Sequence, residues 1–321
     1  AMFRVLRVSR HLRAPAAWAR RALPRYNARY MRSIAPAVGA ATAVGATVAC
    51  VFATGSSVVV CAEFPEDRLA SWRAKWDAQM TGWHLPDVNP VLEKHLDELA
   101  LPQKANGELG ARILFPLCGK TVDMAFMARR GYRVVGVDGV KAAIDGFAAE
   151  HSATGSASPV VLPKGIDGER FRGYAIMPKV PEGEQVSVMP QPVILIECDF
   201  LSIGRPESHA LVPFDAAFDR GSLVAVNPSD RPQYMAALAE LIAPGGKVLL
   251  VAHEHDPFSD GSLGPPFEVT EPQLRELCAG KFDVKWLSTR DELDEVPVLR
   301  QRGVTYYREC VYMLQRLAPA A

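Results

Sequence analysis

The chain predicts an α/β fold, a doubly wound and mostly parallel sheet with helices on both faces. Three observations carry this. Seven short apolar runs of strand type follow Ser71, most separated by helix-type stretches. The first run ends in a turn containing Gly119, which opens a helix, and the second ends on Asp138. The 321 residues are 49% apolar and 22% charged, the balance of a globular chain rather than a disordered or fibrous one.

Residues 91–101 (VLEKHLDELAL) place Leu92, His95, Leu96 and Leu99 on one face at helical spacing, so His95 reads as a core residue. RILFPL (112–117) is the first strand, and the helix TVDMAFMARR after it is closed by Gly131. YRVVGVD (132–138) and VILIECDF (193–200) are the second and third strands. DAAFDRGSL (215–223) is the fourth, and YMAALAELIA is the helix that leads through Pro244 and two glycines into the fifth, GGKVLLVAHEH (245–255). FDVKWLST (282–289) and ECVYMLQRL (309–317) complete the seven. Residues 151–192 break the rhythm with six prolines and read as a loop excursion with a short hairpin around FRGYAIM.

The net charge is zero, but residues 1–62 hold nine Arg, no Lys and no acid. The remaining chain holds 27 basic and 36 acidic residues, and an acidic body does not suit a phosphate backbone. The six cysteines are too sparse for a disulfide framework and form no CxxC pair, which excludes zinc-ribbon and thioredoxin-like readings. Residues 1–33 interleave Arg with apolar residues like a mitochondrial presequence. Residues 34–62 are uncharged, long enough to span a bilayer, and rich in Ala and Gly, so they are a candidate membrane anchor or a linker. With the Arg cluster on the matrix side, the main domain, residues 63–321, would sit on the inner membrane facing the intermembrane space.

A glycine turn after strand one and an acid after strand two suit a nucleoside ligand, whose ribose hydroxyls a carboxylate can accept. Gly119 stands alone, without the further glycines that a pyrophosphate needs, so NAD and FAD fit poorly and a phosphate-free nucleoside such as S-adenosylmethionine fits better. Asp138 alone is equally readable as a strand-end turn residue. His253, Glu254, His255 and Asp256 have the look of a metal cluster but read as a pocket rim at a strand end, and no metal is expected. Cys118 reads as a loop residue and not as a nucleophile.

The segments WRAKWDAQMTGWH (72–84), VNPVLEKHL (88–96), ILFPLCGKTVDMAFMARRGYRVVGVD (113–138), FDRGSLVAVNPSDRPQYM (218–235), GPPFEVT (264–270) and ECVYML (309–314) resemble the thiopurine S-methyltransferase family, especially its bacterial-type members. The resemblance runs from about Ser71 to Leu317. It implies a Rossmann-like class I methyltransferase fold, with S-adenosylmethionine as donor and a small thiol or similar soft nucleophile as acceptor. By position, Trp72, Trp76 and the segment to Trp83 resemble a lid over the cofactor, and Leu117 and Gly119 its first-loop contacts. Asp138 takes the place of the ribose-binding acid, and Asp199 and Phe200 lie at the adenine end. Arg220 resembles the arginine near the methionine end and the acceptor. Trp83, with Pro265, Pro266 and Phe267, lines the implied acceptor pocket, and His84 reads as a hydrogen-bonding lid residue beside it. Two departures stand out: Asp138-Gly139-Val140 replaces the family's acid-x-Ser, and the excursion at 151–192 is long.

Methyl transfer from a sulfonium is an in-line displacement with a neutral leaving group, so positioning and water exclusion carry most of the catalysis. Asp219, at the end of the fourth strand, is a candidate to accept a thiol proton or simply to cap its turn. The rival expectation is a non-catalytic methyltransferase-fold subunit of a mitochondrial inner-membrane complex. An open cofactor cleft separates the first reading from the second.

Overall fold

A computed structural model describes residues 67–99, 101, 110–164, 166–211 and 213–318. The candidate presequence and anchor at 1–62 lie outside the described residues. Among those described, no helix is long and apolar enough to cross a membrane.

In chain order the elements are α1 (Ala70–Asp77), α2 (Pro90–His95), β1 (Arg112–Pro116), α3 (Val122–Arg129), β2 (Arg133–Asp138), α4 (Lys141–His151), β3 (Ser158–Val160), β4 (Arg172–Ile176) and β5 (Val193–Glu197). There follow α5 (Arg205–Leu211), β6 (Phe214–Arg220), α6 (Arg231–Leu241), β7 (Ile242–His255), α7 (Glu271–Cys278), β8 (Phe282–Asp291), α8 (Pro297–Gln301) and β9 (Tyr307–Arg316). All seven expected strands form. The sheet, however, has nine strands in the order β3-β4-β5-β2-β1-β6-β7-β9-β8, so the expected count and the mostly parallel character are both corrected. Its five central strands, β5 to β7, pair in parallel. Both edges are antiparallel: β9 and β8 on one side, β4 and β3 on the other.

The two extra strands come from the excursion. Its FRGYAIM stretch becomes β4, and Arg172–Ile176 pair along the length of β5. Six prolines obscured this, because prolines argue against a central strand yet are tolerated near an edge. Pro159 lies in β3, the outermost strand.

Alternation along the strands divides the interior into two layers. Leu114, Val137, Ala217, Leu250 and Tyr312 face α6 and α7, with Tyr234, Leu238 and Leu274 against them. Ile113, Phe115, Phe218, Val251 and Val311 face the other way, onto Met124 and Met127 of α3 and Phe147 of α4. Thr121 caps α3 and Gly131 ends it with φ at +83°, as the sequence predicts. His95 is buried and its Nδ1 lies 2.7 Å from Glu98 Oε1.

Gly136 in β2 lets α3 approach the sheet: a Cβ there would stand 2.6 Å from Leu195 Cδ2, 2.7 Å from Met124 Sδ and 2.8 Å from Cys118 Sγ. Gly136→Ala should therefore cost about 1–3 kcal/mol by overpacking. Urea unfolding checks this, with a lower midpoint expected at an unchanged slope.

Candidate functional site

The carboxyl ends of β1, β2 and β6 open into a cavity of about 440 Å³. At its floor the chain leaves β1 through two left-handed residues, Leu117 at φ +41° and Gly119 at φ +53°. A left-handed leucine is costly unless its surroundings hold it there. Two contacts do so. Cys118 N–H donates to Val137 O at 3.0 Å, and Gly119 N–H donates to Asp138 Oδ2 at 2.8 Å. The other oxygen, Asp138 Oδ1, accepts from Val140 N–H at 2.9 Å. One carboxylate thus aligns the turns after β1 and β2 while lining the cavity. Burial raises its pKa to about 6, against the lowering effect of those two donors.

The lid comes from α1 and the turn after it. Trp72 and Trp76 meet Trp83 edge-on, at centroid distances of 5.6 and 6.1 Å. His84 fastens this cluster to the floor: its Nδ1 donates to Thr81 O at 3.0 Å, and its Nε2 accepts from Lys120 N–H at 3.0 Å. With Lys120 N–H the donor at Nε2, the ring is neutral, and burial lowers its pKa to about 4. Gly119 makes room for it, since a Cβ at 119 would lie 2.3 Å from His84 Nε2. At the far end Arg68 pairs with Asp199 at 3.3 Å, and Gly139 leaves space for Leu69, 2.6 Å from where a Cβ would be. Gly139 therefore seats the residue that leads into the lid helix.

The strand alternation separates Asp219 from Arg220. Arg220 lies on the cavity side, and its Nη1 donates to Trp83 O, a third lid contact. Asp219 faces the opposite layer. Its Oδ1 accepts from Ser222 N–H at 3.2 Å and Leu223 N–H at 3.1 Å, and its Oδ2 accepts from Tyr234 OH at 2.7 Å. It is fully buried and absent from the cavity wall, so the candidate proton acceptor is corrected to a turn cap. Phe200 is likewise in the core against Tyr234, at 5.1 Å, while its neighbour Asp199 does reach the cavity. Of the Pro265-Pro266-Phe267 run the two prolines line the cavity; Phe267 does not, and its N–H donates to Val224 O at 2.7 Å.

Sequence reasoning placed His253 at a pocket rim and gave Glu292 no role. His253 does reach the cavity, where it stacks on Tyr307 at 4.9 Å and burial lowers its pKa to about 3. His255 instead has Nδ1 2.7 Å from Asp256 O and Nε2 3.0 Å from Pro266 O. Among the described residues no His, Cys, Asp and Glu cluster is fit to hold a metal. Glu292, just past β8, is buried and lines the cavity; burial and the nearby Glu309 raise its pKa to about 7. Its signal in the sequence was only its place two residues beyond Arg290, which a strand's alternation puts on the same face. Cys118 is buried and its thiol pKa is pushed well up, so no thiolate nucleophile is at hand.

As a turn cap, Asp219 matters to stability and not to chemistry. Asp219→Asn should lower the unfolding free energy by about 1–3 kcal/mol through the weakened bonds to Tyr234 and the turn. If the methyl transfer expected from the resemblance is assayed, turnover of the folded variant should stay within a few-fold of the parent. A large turnover loss at unchanged stability would return Asp219 to the chemistry.

The family described as Thiopurine S-methyltransferase (TPMT) matches residues 68–317. The rabbit (Oryctolagus cuniculus) thiopurine S-methyltransferase is 31% identical over 246 residues, covering 77% of this chain and 89% of that protein. The enzyme of Pseudomonas fluorescens (strain SBW25) is 32% identical over 244 residues, covering 76% and 96%. Among solved structures, the Burkholderia thailandensis 1,6-didemethyltoxoflavin-N1-methyltransferase with bound S-adenosylhomocysteine is 19% identical, with a TM-score of 0.44 over 77% of this chain and 86% of that one. The match over nearly the whole described region, and a sheet in which β9 inserts antiparallel between β7 and β8, leave one reading: the chain belongs to the thiopurine S-methyltransferase family and is an S-adenosylmethionine-dependent methyltransferase of class I fold.

Proposed function

We propose that the chain transfers the methyl group of S-adenosylmethionine to the sulfur of a small thiol or a similar soft nucleophile. The observation that carries this is the open cavity, whose floor presents a buried carboxylate and whose roof is a cluster of tryptophans. A cleft packed shut by its own side chains would have favoured a non-catalytic subunit, and this cleft is open.

In this reading Asp138 accepts the ribose hydroxyls on its remaining lone pairs. Its two backbone donors hold it in place beforehand, so little reorganisation accompanies binding. Leu117 and Gly119 bring backbone close to the cofactor, and Asp199 flanks the adenine end. Trp72, Trp76 and Trp83 exclude water and turn π surface toward the sulfonium. Arg220 supplies a guanidinium for the methionine carboxylate while it holds the lid by Trp83 O. Pro265 and Pro266 form the acceptor side with Trp83. Holding a nucleophile in line beneath such a lid can supply roughly 7–11 kcal/mol of the barrier reduction.

The test is calorimetric binding of S-adenosylmethionine. Asp138→Ala should weaken it about 10–100-fold, the scale of hydrogen bonds to a charged group, while thermal unfolding reports any loss of the turn itself. Unchanged affinity would remove Asp138 from the ribose. The ionised carboxylate is the binding form and its pKa in the empty site is about 6, so the cation-binding cleft should lose affinity as pH falls. Between pH 7 and pH 5 the ionised fraction drops about tenfold, and the dissociation constant should rise by about that factor.

We further infer that the Arg-rich residues 1–33 and the uncharged residues 34–62 direct the domain to the mitochondrial inner membrane. The absence of any acid before Glu63 supports this. Residues 2–62 fused to a fluorescent protein should colocalise with mitochondria; diffuse signal would end the reading.

A further inference from the structure

The far wall of the cavity is built by the antiparallel ladder β7-β9-β8. His253 pairs with Glu309 and Glu309 with Arg290; one step along, His255 pairs with Tyr307, and Glu292 N–H donates to Tyr307 O at 2.8 Å. Cross-strand partners and residues two apart share a face. His253, Glu309, Arg290, Tyr307 and Glu292 therefore stand together on the face that carries Arg220.

Two buried acids on this wall share one guanidinium. Arg290 Nη2 bonds Glu292 Oε1 and lies 3.7 Å from Glu309 Oε1, so one half-exposed guanidinium serves both carboxylates. The remaining charges that act on Glu292 are Arg220, which favours its ionised form, and Glu295, which opposes it. The carboxyl carries a surplus of negative charge beside the apolar Val296, Val298 and Leu299 of the cavity lining.

Several other titratable groups of the cavity are engaged by their neighbours. His84 uses both ring nitrogens, and Asp123 accepts from Asn89 N–H at 2.7 Å and from Thr121 OH at 2.7 Å. Asp138 accepts from two backbone amides, and Asp199 is paired with Arg68. His253 is held neutral, and burial keeps Cys118 protonated. Asp138 and Glu292 both change protonation near neutral pH, but Asp138 spends its two oxygens on backbone amides, which leaves Glu292 on the far wall as the carboxyl placed to take a substrate proton.

We propose that Glu292 is the proton acceptor of the transfer and selects neutral thiols carried on an apolar group. This rests on the thiol reading above. The S–H bond breaks and its proton passes to the Glu292 carboxylate. The sulfur pair forms the new S–CH₃ bond as the cofactor's S⁺–CH₃ bond breaks, leaving neutral S-adenosylhomocysteine, a thioether and a protonated Glu292. Charge is conserved, because the sulfonium and the carboxylate are neutralised together. A free carboxylate on the acceptor would meet the surplus negative charge of Glu292 and Glu309 and be disfavoured.

The experiment compares two thiols on the full chain at saturating S-adenosylmethionine: benzyl mercaptan, which is protonated at neutral pH, and 4-nitrothiophenol, which is already thiolate. The parent's kcat/KM for benzyl mercaptan should rise with pH and level off above about 7, the behaviour of an enzyme base and not of the thiol. Glu292→Gln should lose about 10²–10⁴-fold at pH 7 on that thiol and continue to rise toward pH 9. On 4-nitrothiophenol it should match or exceed the parent, and cofactor affinity should not move. Glu292→Asp, which keeps a carboxyl, should retain the levelled profile at a lower rate. Equal loss on both thiols, or a parent-like pH profile in Glu292→Gln, would overturn the proposal. A parent that bound S-adenosylmethionine yet methylated no thiol would overturn the thiol reading and this inference together. A parent that failed to bind the cofactor would instead strike at the site assignment itself.

Discussion

The site depends on one carboxylate. Asp138 is the last residue of a central strand, and its two oxygens take backbone N–H groups from two different turns, Gly119 and Val140. These bonds are made in a buried position, where an amide without a partner would be costly. They keep Leu117 and Gly119 left-handed, and that conformation presents the next amide, Lys120 N–H, to His84. His84 in turn positions Trp76 and Trp83, with centroids at 5.4 and 5.5 Å. The order runs from carboxylate to turn to amide to imidazole to lid. Each link is short-ranged, but together they set the height of the roof over the floor.

The same logic explains why the lid needs so little helix. α1 has no buried residue and almost no amphipathic core contact of its own. It is held at three polar points instead: Arg68 to Asp199, Arg220 to Trp83 O, and Lys120 N–H to His84. Such contacts are individually modest, and exposed ones contribute little. A segment fastened this way can release without unfolding the sheet beneath it, which is what entry and exit through a covered cleft require.

Much of this was legible in the sequence, and the parts that were not have physical reasons. Apolar runs marked the seven strands because five of them are covered on both faces and read as continuous hydrophobic stretches. The edge strands β3 and β4 were less legible because pairing on one side imposes little on composition, and prolines are admitted there. Asp138, Gly119 and the tryptophans were legible because turn geometry and aromatic spacing are local. Asp219 was misplaced by a single residue's worth of phase. It and Arg220 are neighbours in sequence but lie on opposite faces, and Leu249 and Leu250 in the adjacent strand separate the same two layers. Phe200 beside Asp199 repeats the pattern. Glu292 was beyond reach because its environment is assembled from three strands, and the register of β9 against β8 includes a bulge between Trp286 and Ser288 that no local pattern announces.

The distribution of charge in the cleft follows from where charge changes in the proposed reaction. The cofactor arrives with a positive sulfonium and leaves neutral, so an anion placed too near the methyl would favour the bound donor over the transition state. Asp138 is tied into backbone beneath the proposed ribose position, while Glu292 lines the far wall with Arg290 between it and Glu309 behind. The region between is lined by Phe115, Phe218 and the tryptophans, which offer polarisable surface without net charge. An aromatic wall stabilises a sulfonium modestly and does not trap it, which suits a group that must lose its charge in the step that matters. In the proposed step the acid on the far wall gains a proton as the sulfonium loses its charge, so the cleft passes through the reaction without accumulating an uncompensated charge in a low-dielectric space.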